Sequence, residues 1–555
     1  MRSVSTHVAA EREARGTSVL GGIDRGAAVP IALYLVGVAV YALAGRMVTF
    51  AVNEGSAYYV AVARNLLSGR GLTIDAIWSY AREPLVLPRP AFELWQPLAS
   101  LVSAGGMALT TSDLAGAQLA MAALGALLAP MAWFITMEAS AALGLGKDRS
   151  AVLALGAGAL TLATGPLLVA VVLPDSTMPF AVLATAIGIA TAGSLRTPPE
   201  RRAQHWFVIG VIVGLAWLAR HEAVWLALTA VLVAAGRGTL RPRLLFAACL
   251  GGLVIATPWL ARNLLVFGTP LPGQVVDNAV LLRNDQIFAY LEPPSVEAFL
   301  AAGPTTWLSN VATALVHNAA NVILIPAAPV ALAGLVALAI LMARRPDVRA
   351  TSLGVLALAG TAIFVATAVL FPVATLWGTF QHAAGFVHVA LTVAAVLGLD
   401  SAVRAIGKWR RWHRSNAWLA PVALPLMLLP MTWLTVSSLS AHAAHHERHW
   451  QALGRAVLRL TGTATGNQMV VISDHPIWLA EATGLSAIAL PAEPLASVTE
   501  LAREFDASLV VISASRGQYP ALLRSQPAGA CFRELAPGPG QPLGAAIFEI
   551  SEACR

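Results

Sequence analysis

One carboxylate stands where an apolar run ends: Glu54, in Asn53-Glu54-Gly55-Ser56-Ala57-Tyr58-Tyr59. A carboxylate at such a boundary can accept the proton of a hydroxyl group as that hydroxyl attacks an electrophile. Its plain alternative is a solvated loop acid. A second acid, Asp175, follows another apolar run in Leu173-Pro174-Asp175-Ser176-Thr177. It reads equally as a shaper of the same site and as the N-cap of the next helix. Arg64, Arg220, Arg262 and His382 are donors of the kind that neutralise a departing anion such as phosphate. Arg64 also reads as a snorkelling interfacial side chain, Arg262 as a helix-end charge and His382 as a polar span cap. Arg220-His221-Glu222 is either a charged trio at membrane depth or a surface turn. Tyr58 and Tyr59 suit an interfacial anchor better than a stacking platform.

The elements that must position these groups are membrane spans. The chain has 555 residues, 57% hydrophobic and 12% charged, with mean hydropathy +0.70. An ordinary soluble domain has roughly 25% charged residues, so soluble, disordered and disulfide-scaffold classes are excluded. Eleven apolar stretches are predicted, at 28–50, 114–137, 150–173, 177–194, 206–219, 223–236, 244–260, 320–342, 351–372, 384–400 and 417–438. The fifth and sixth are short for a crossing, which takes about 20 residues, and they flank Arg220-His221-Glu222. The fold class is therefore an α-helical polytopic membrane protein of about eleven spans with a small C-terminal extracytoplasmic α/β domain.

Charge placement orients it. With the N-terminal tail (1–27) in the cytoplasm and the short pair kept separate, the basic clusters Lys147 and Arg149, Arg196 to Arg202, Arg237 to Arg243, Arg344 to Arg349 and Arg404 to Arg414 all face inward. Longer outer loops hold few basic residues, as the bias of Lys and Arg toward the cytoplasm requires. The net charge of +7 is thus topological, and no nucleic-acid partner is implied. The run Lys408 to Arg414, with Trp409 and Trp412, is an inner-face anchor for anionic lipid. Ala42-Leu43-Ala44 mimics a signal-peptide cleavage site, but the apolar run before it is too long for one, so the first span is an uncleaved anchor. The expected setting is a bacterial-type plasma membrane, with membrane lipids as surroundings.

Two outer loops are long, 51–113 and 261–319. In the first, 57–67 is a helix stopped by Gly69 and Gly71, and a second helix starts at Pro97. The polar segment 440–555 carries buried strands at Met469–Ser473 and Ser508–Ser513 and helices near 446–460 and 496–505. Cys531 and Cys554 are equally a disulfide on an oxidising exterior or two free thiols. His442, His445, His446 and His449 lack a zincin order, because Trp450 stands where the second His would be; they read as a solvated helix. No internal repeat and no phosphate loop is present, and Gly156-Ala157-Gly158 is helix-packing material.

Taken in order, these pieces resemble a known family. An acid, a Tyr-containing helix, Ala63-Arg64-Asn65-Leu66-Leu67-Ser68-Gly69-Arg70-Gly71-Leu72 and Trp95-Gln96-Pro97-Leu98 resemble the first outer loop of the GT-C superfamily of polytopic glycosyltransferases. The closer branch is the protein O-mannosyltransferase and aminoarabinose transferase group (glycosyltransferase family 39-like). Pro258-Trp259-Leu260-Ala261-Arg262-Asn263 with Phe267-Gly268-Thr269-Pro270, and Asp474-His475-Pro476 with Gly484, are similar to later parts of that architecture. The resemblance implies a GT-C-like catalytic domain over 28–439 and an extracytoplasmic domain over 440–555. It implies transfer of a sugar, by inversion, from a polyprenyl-phosphate donor to a lipid, glycan or protein acceptor hydroxyl on the outer face. Glu54 and Asp175 would be the catalytic acids, and Arg64, Arg262, His382, Tyr58 and Arg220 would bind donor phosphate or sugar. The family usually has an acid at Glu54, often Asp with an acidic neighbour; here the neighbour is Asn53. No cofactor is required, and the lone carboxylate disfavours the divalent metal some branches use. The rival expectation is a transporter or flippase of lipid-linked glycan intermediates, for which repeated halves and mid-membrane polar groups would be the signature.

Overall fold

A computed structural model describes residues 25–555 except 111, 274, 413–415, 462–468, 515–518, 526–530 and 539. The tail 1–24 and Arg414, both placed inward above, lie outside the described residues. The first span is α1 (Arg25–Met47), apolar throughout from Ala28. Helix α2 (Glu54–Leu67) begins three residues before the expected 57. The Asn53 side chain accepts the Ser56 N–H at 2.6 Å, which caps it. Glu54 is therefore a first-turn helical residue, where a negative charge faces the positive end of the helix dipole. Helix α3 (Leu98–Leu109) starts directly after Pro97, as the sequence predicts.

The helical body continues with α4 (Asp113–Gly125) and α5 (Leu128–Ala142), which together make one apolar crossing. Helices α6 (Lys147–Leu162) and α7 (Gly165–Val172) form a second, bent by 48° at their break. Then come α8 (Thr177–Ser194), α9 (Arg202–Ala219), α10 (Ala223–Gly236) and α11 (Pro242–Phe267). Helices α9 and α10 are separate, broken at Arg220–Glu222; α9 is long and apolar enough to cross, and α10 is a shorter apolar helix of 14 residues. Helices α9 and α11 approach through glycine. A Cβ on Gly210 would lie 2.0 Å from the Ala248 carbonyl oxygen, and one on Gly251 2.2 Å from that of Phe207.

The expected eighth span, 320–342, is more broken than its hydropathy suggests. An amphipathic helix, α12 (Gly303–His317), precedes it. A π-helical turn, Asn318–Leu324, follows, and after the cis Ala328–Pro329 bond α13 (Val330–Arg344) completes it. The Trp307 indole donates to the Val369 carbonyl and Thr375 Oγ1 donates to Asn318 Oδ1. Both contacts are at the Leu370 end of α14 (Ser352–Leu370), and α12 with the π-helical turn makes up most of Gly303–Ala327, one of the apolar helices long enough to cross. Helix α15 (Gly385–Trp409) is the most enclosed crossing with α8. Helix α16 (Leu419–Thr461) absorbs both the last expected span and the expected helix at 446–460. At 43 residues it is roughly 65 Å long, twice a bilayer core, and it projects well beyond the membrane. Among the described residues nine helices, or ten with the bent pair, are long and apolar enough to cross.

The two ends of the body differ. At the end holding Lys147, Asp400 is 1% exposed and accepts from Arg149 Nε at 2.9 Å and Arg404 Nε at 3.1 Å, while Arg196 pairs with Glu138 at 2.5 Å. The other end carries the long loops and the C-terminal domain. That domain is a six-stranded sheet in the order β2-β5-β4-β6-β8-β7. Its strands are β4 (Val470–Ser473), β5 (Ser486–Ala489), β6 (Ala507–Ile512), β7 (Phe532–Glu534) and β8 (Ala546–Ile550). Helices α17 (Pro476–Thr483) and α18 (Leu495–Glu504) connect the parallel strands. The sixth strand, β2 (Ala76–Ile77), comes from the first long loop and pairs in parallel with β5. In the same loop β1 (Thr73–Ile74) pairs with β3 (Arg89–Pro90). Cys531 and Cys554 form a disulfide that fastens the C-terminus to the outer strands.

Candidate active site

Glu54 lies on the seam between the helical body and the C-terminal domain. His475 Nδ1 is 3.1 Å from Glu54 Oε2, and the Ile477 N–H, in the first turn of α17, donates to Oε1 at 3.3 Å. The Trp478 indole donates to the Ala51 carbonyl at 2.9 Å, fixing the turn before α2. The His475 ring packs near Trp450 of α16 and Trp478, at centroid separations of 6.0 and 5.0 Å. Its neighbour Asp474 is engaged elsewhere, accepting from the Ser513 N–H and hydroxyl. His475 was not among the expected site residues. The signal for it was an apolar strand ending directly at His-Pro, where a side chain must project from the top of a sheet.

Asp175, Arg220 and His382 come together one step away. Asp175 is 4% exposed; its Oδ2 is 3.1 Å from His382 Nδ1, and its Oδ1 accepts the Thr177 N–H at 2.7 Å. Burial would raise its pKa, but the His382 charge and the hydrogen bonds from His382 and Thr177 outweigh burial and hold it below the usual carboxylate range. Asp175 thus stands one residue before the N-cap position, Ser176, and accepts the first amide of α8 while it faces His382. Arg220 donates to Glu222 at 2.7 and 3.1 Å and to the Ser176 hydroxyl at 2.9 Å. Burial would raise the Glu222 carboxyl too, and Arg220 holds it below its ordinary value. His221 faces Gln96 at 2.6 Å, and burial lowers the pKa of its imidazole. Tyr59 reaches this cluster from α2; burial pushes its hydroxyl up, and the Arg220 charge opposes that. Glu54 and Tyr59 are five residues apart on one helix, about 7.5 Å of rise, so α2 is the element that bridges the two groups.

The cations differ in how far their charge is already used. Arg64 is bound by two carboxylates, Asp113 and Glu481, the latter at 2.7 Å. Arg220 is bound by Glu222. Arg262 has no carboxylate within ion-pair distance among the described residues. Its guanidinium lies over the Trp259 and Phe267 rings at 4.9 and 5.0 Å and bonds to Asn263 Oδ1 at 3.1 Å. Trp259 continues into an aromatic wall through Phe92, Tyr58, Trp95 and Trp78, with neighbouring centroids 4.4 to 5.7 Å apart. Tyr58 is 1% exposed and its hydroxyl accepts the Phe92 N–H at 2.7 Å, so it is a wall-building residue. Among the described residues no three His, Cys, Asp or Glu side chains are grouped to hold a metal ion.

No protein-family profile matches the sequence, and no curated protein matches it by sequence. Its fold does match solved structures. ArnT from Cupriavidus metallidurans in the apo state aligns over 94% of this chain and 98% of its own at 15% identity, with a TM-score of 0.53. The same enzyme bound to undecaprenyl phosphate aligns with the same figures. The oligosaccharyltransferase of Archaeoglobus fulgidus, in complex with zinc and sulfate, aligns over 86% of this chain and 67% of its own at 13% identity, with a TM-score of 0.50. The alignment with ArnT takes in nearly the whole of both chains, so this chain shares the fold of that protein.

Proposed function

We propose that the protein transfers a sugar from a polyprenyl-phosphate donor to an acceptor hydroxyl at the membrane end that carries the C-terminal domain, with inversion at the anomeric carbon. That end faces the cell exterior in this reading. The basic residues crowd the opposite end, and the Cys531–Cys554 disulfide suits an oxidising compartment. Glu54 takes the acceptor proton as the acceptor oxygen bonds to the anomeric carbon. The bond from that carbon to the phosphate oxygen breaks, and the electron pair leaves with polyprenyl phosphate. Arg262 receives the developing phosphate charge, because Arg64 and Arg220 are neutralised by carboxylates of this chain. Asp175 and His382 shape the pocket between the α7–α8 and α14–α15 turns. The donor tail is accommodated by lipid-facing apolar surface. A cleft of about 400 Å³ between α1, α6–α7 and α16, lined by Val36, Leu155, Leu162 and Leu429, offers such surface.

The observation that carries this reading is the presence of a seam carboxylate, Glu54, and of Arg262, which among the described residues has no carboxylate within ion-pair distance. Membranes containing the protein, supplied with undecaprenyl phosphates bearing tritiated hexoses or pentoses, should release undecaprenyl phosphate and label an acceptor. The Glu54→Gln protein should not. Equal product from both removes Glu54 from its role. Movement of intact donor across the bilayer without cleavage would support the transporter reading instead.

A further inference from the structure

The contact between Glu54 and His475 joins residues 421 positions apart, one in the first loop and one in the C-terminal domain. We propose that His475 is a positioning residue for Glu54, so that the C-terminal domain is a working part of the transfer site. This rests on the reading of Glu54 as the base.

A glutamate at a helix start has three rotatable bonds and would otherwise sample many orientations. A base needs one oxygen held within about 2.6–3.2 Å of the hydroxyl it deprotonates. Here the domain holds both oxygens. The imidazole Nδ1 takes Oε2, and the first-turn amide of α17 takes Oε1 through the longer, weaker contact. Oε1 is therefore the oxygen freer to receive a proton. The ring is itself held by Trp450 and Trp478, which leaves the imidazole little room to turn. Glu54 and His475 side chains are 15% and 23% exposed, so the pair lies at an accessible seam, and a purely packing role would have buried it. The charged groups around His475 are Glu54 from α2, Asp474 beside it, and His446 and His449 from α16, whose charges interact with it. Asp474 is engaged by Ser513, and Glu54 is the carboxylate within ion-pair distance of the His475 ring.

The role predicts a specific pattern of variants. His475→Ala removes the donor. His475→Asn keeps an N–H donor near the Nδ1 position without a titrating ring. The test uses the full-length protein in lipid nanodiscs, with undecaprenyl phosphates bearing tritiated hexoses or pentoses as probes. His475→Ala should lower kcat about 10- to 100-fold, the usual worth of a hydrogen bond to a charged group, with the donor KM within about threefold of wild type. His475→Asn should recover most of that loss. Amide hydrogen exchange at residues 54–58 should rise in the alanine variant only, with the thermal midpoint of both unchanged. If His475→Ala keeps wild-type kcat while Glu54→Gln is inactive, the positioning role is wrong and the base reading stands. If Glu54→Gln is active, or the wild-type chain cleaves none of the donors, the base reading fails and takes the inference with it. If both His475 variants are equally impaired with a lowered midpoint, His475 serves the fold alone and the inference is overturned.

Discussion

Removing the Arg220 guanidinium should weaken the protein in a way that acid partly reverses. Arg220 and Glu222 side chains are only 14% and 10% exposed, and the arginine donates to both carboxylate oxygens. Arg220→Gln leaves a buried carboxylate with no cation beside it. Breaking a buried pair from one side costs about 3–5 kcal/mol, because the remaining charge is stranded. The pH dependence follows from the pKa directions. In the native protein Glu222 sits below its ordinary value, so its stabilising contribution is fully present above the unfolded value and is lost only as pH falls through the folded one. Without Arg220 the largest influences opposing burial are gone, a backbone hydrogen bond and His221 alone remain against it, and the folded value should rise. The folded variant then takes up a proton first, and its deficit shrinks as pH falls from 7 toward 5. His221 moves in the same sense. Burial, with the Arg220 charge adding to it, lowers its pKa, so loss of Arg220 eases its protonation at low pH.

The assay is thermal unfolding of purified protein at pH 7 and pH 5, for wild type, Arg220→Gln and Arg220→Gln/Glu222→Gln. The single variant should show a large drop in midpoint at pH 7 and a smaller one at pH 5. The double variant, with two neutral amides, should recover more than half of the pH 7 loss. A deficit of equal size at both pH values, or a double variant no better than the single, would refute the assignment of Arg220 as an electrostatic clamp on Glu222.

Other expectations concern the phosphate cation, the opposite face and the disulfide. Arg262→Ala should raise the donor KM or lower kcat/KM by about 10- to 100-fold, the loss of one charge-assisted contact, while leaving the thermal midpoint near wild type; unchanged kinetics would exclude it as the phosphate partner. Arg149→Ala should destabilise more than Asp400→Ala. The first leaves a carboxylate that is 1% exposed with Arg404 as its one remaining cation, and the second leaves arginines that can reach water or headgroups. Thermal unfolding showing the reverse order would contradict this. Cys531→Ser/Cys554→Ser opens a loop of 23 residues, worth about 3 kcal/mol in the chain-entropy view, and should show as faster proteolysis of β7 and β8.

The sequence was most legible where one physical signal dominates. Apolar run length located most of the long apolar helices, and it placed the short pair α9 and α10 on either side of the break at Arg220–Glu222. Strands β4 and β6 were visible as short runs rich in Val and Ile. Helix α12 was not visible because the mean hydropathy of Gly303–Ala327, 1.4, is among the lowest of the apolar helices, so its first part read as loop. The continuation of α16 to Thr461 was hidden because hydropathy stops at the membrane surface while the helix does not. Strand β2 is two residues long and its partner lies 411 positions away at Ala487, a pairing no local pattern encodes. At the site, residue types revealed Glu54, Asp175 and the arginines. That Arg64 is already neutralised depended on Asp113 and Glu481, which only the fold brings into reach, whereas Glu222 stands two residues from Arg220.

These non-local links bear on how the domain should be regarded. Four independent connections hold it to the helical body. β2 is hydrogen-bonded into its sheet, α16 enters it without a break, Trp478 is tied to Ala51, and Glu54 is tied to His475 and Ile477. A fifth comes from the second long loop, where the Glu493 carboxylate accepts the N–H groups of Tyr290, Leu291 and Glu292. A module attached by a flexible linker would need none of them. Two of the five, through Ala51 and Glu54, grip the first turn of α2 or the residues just before it. The same helix delivers Tyr59 to the Asp175–Arg220 cluster and Tyr58 to the aromatic wall below Arg262. Displacing the domain would therefore release the start of the one helix that touches every part of the site, and its effect on chemistry should exceed its effect on the membrane spans.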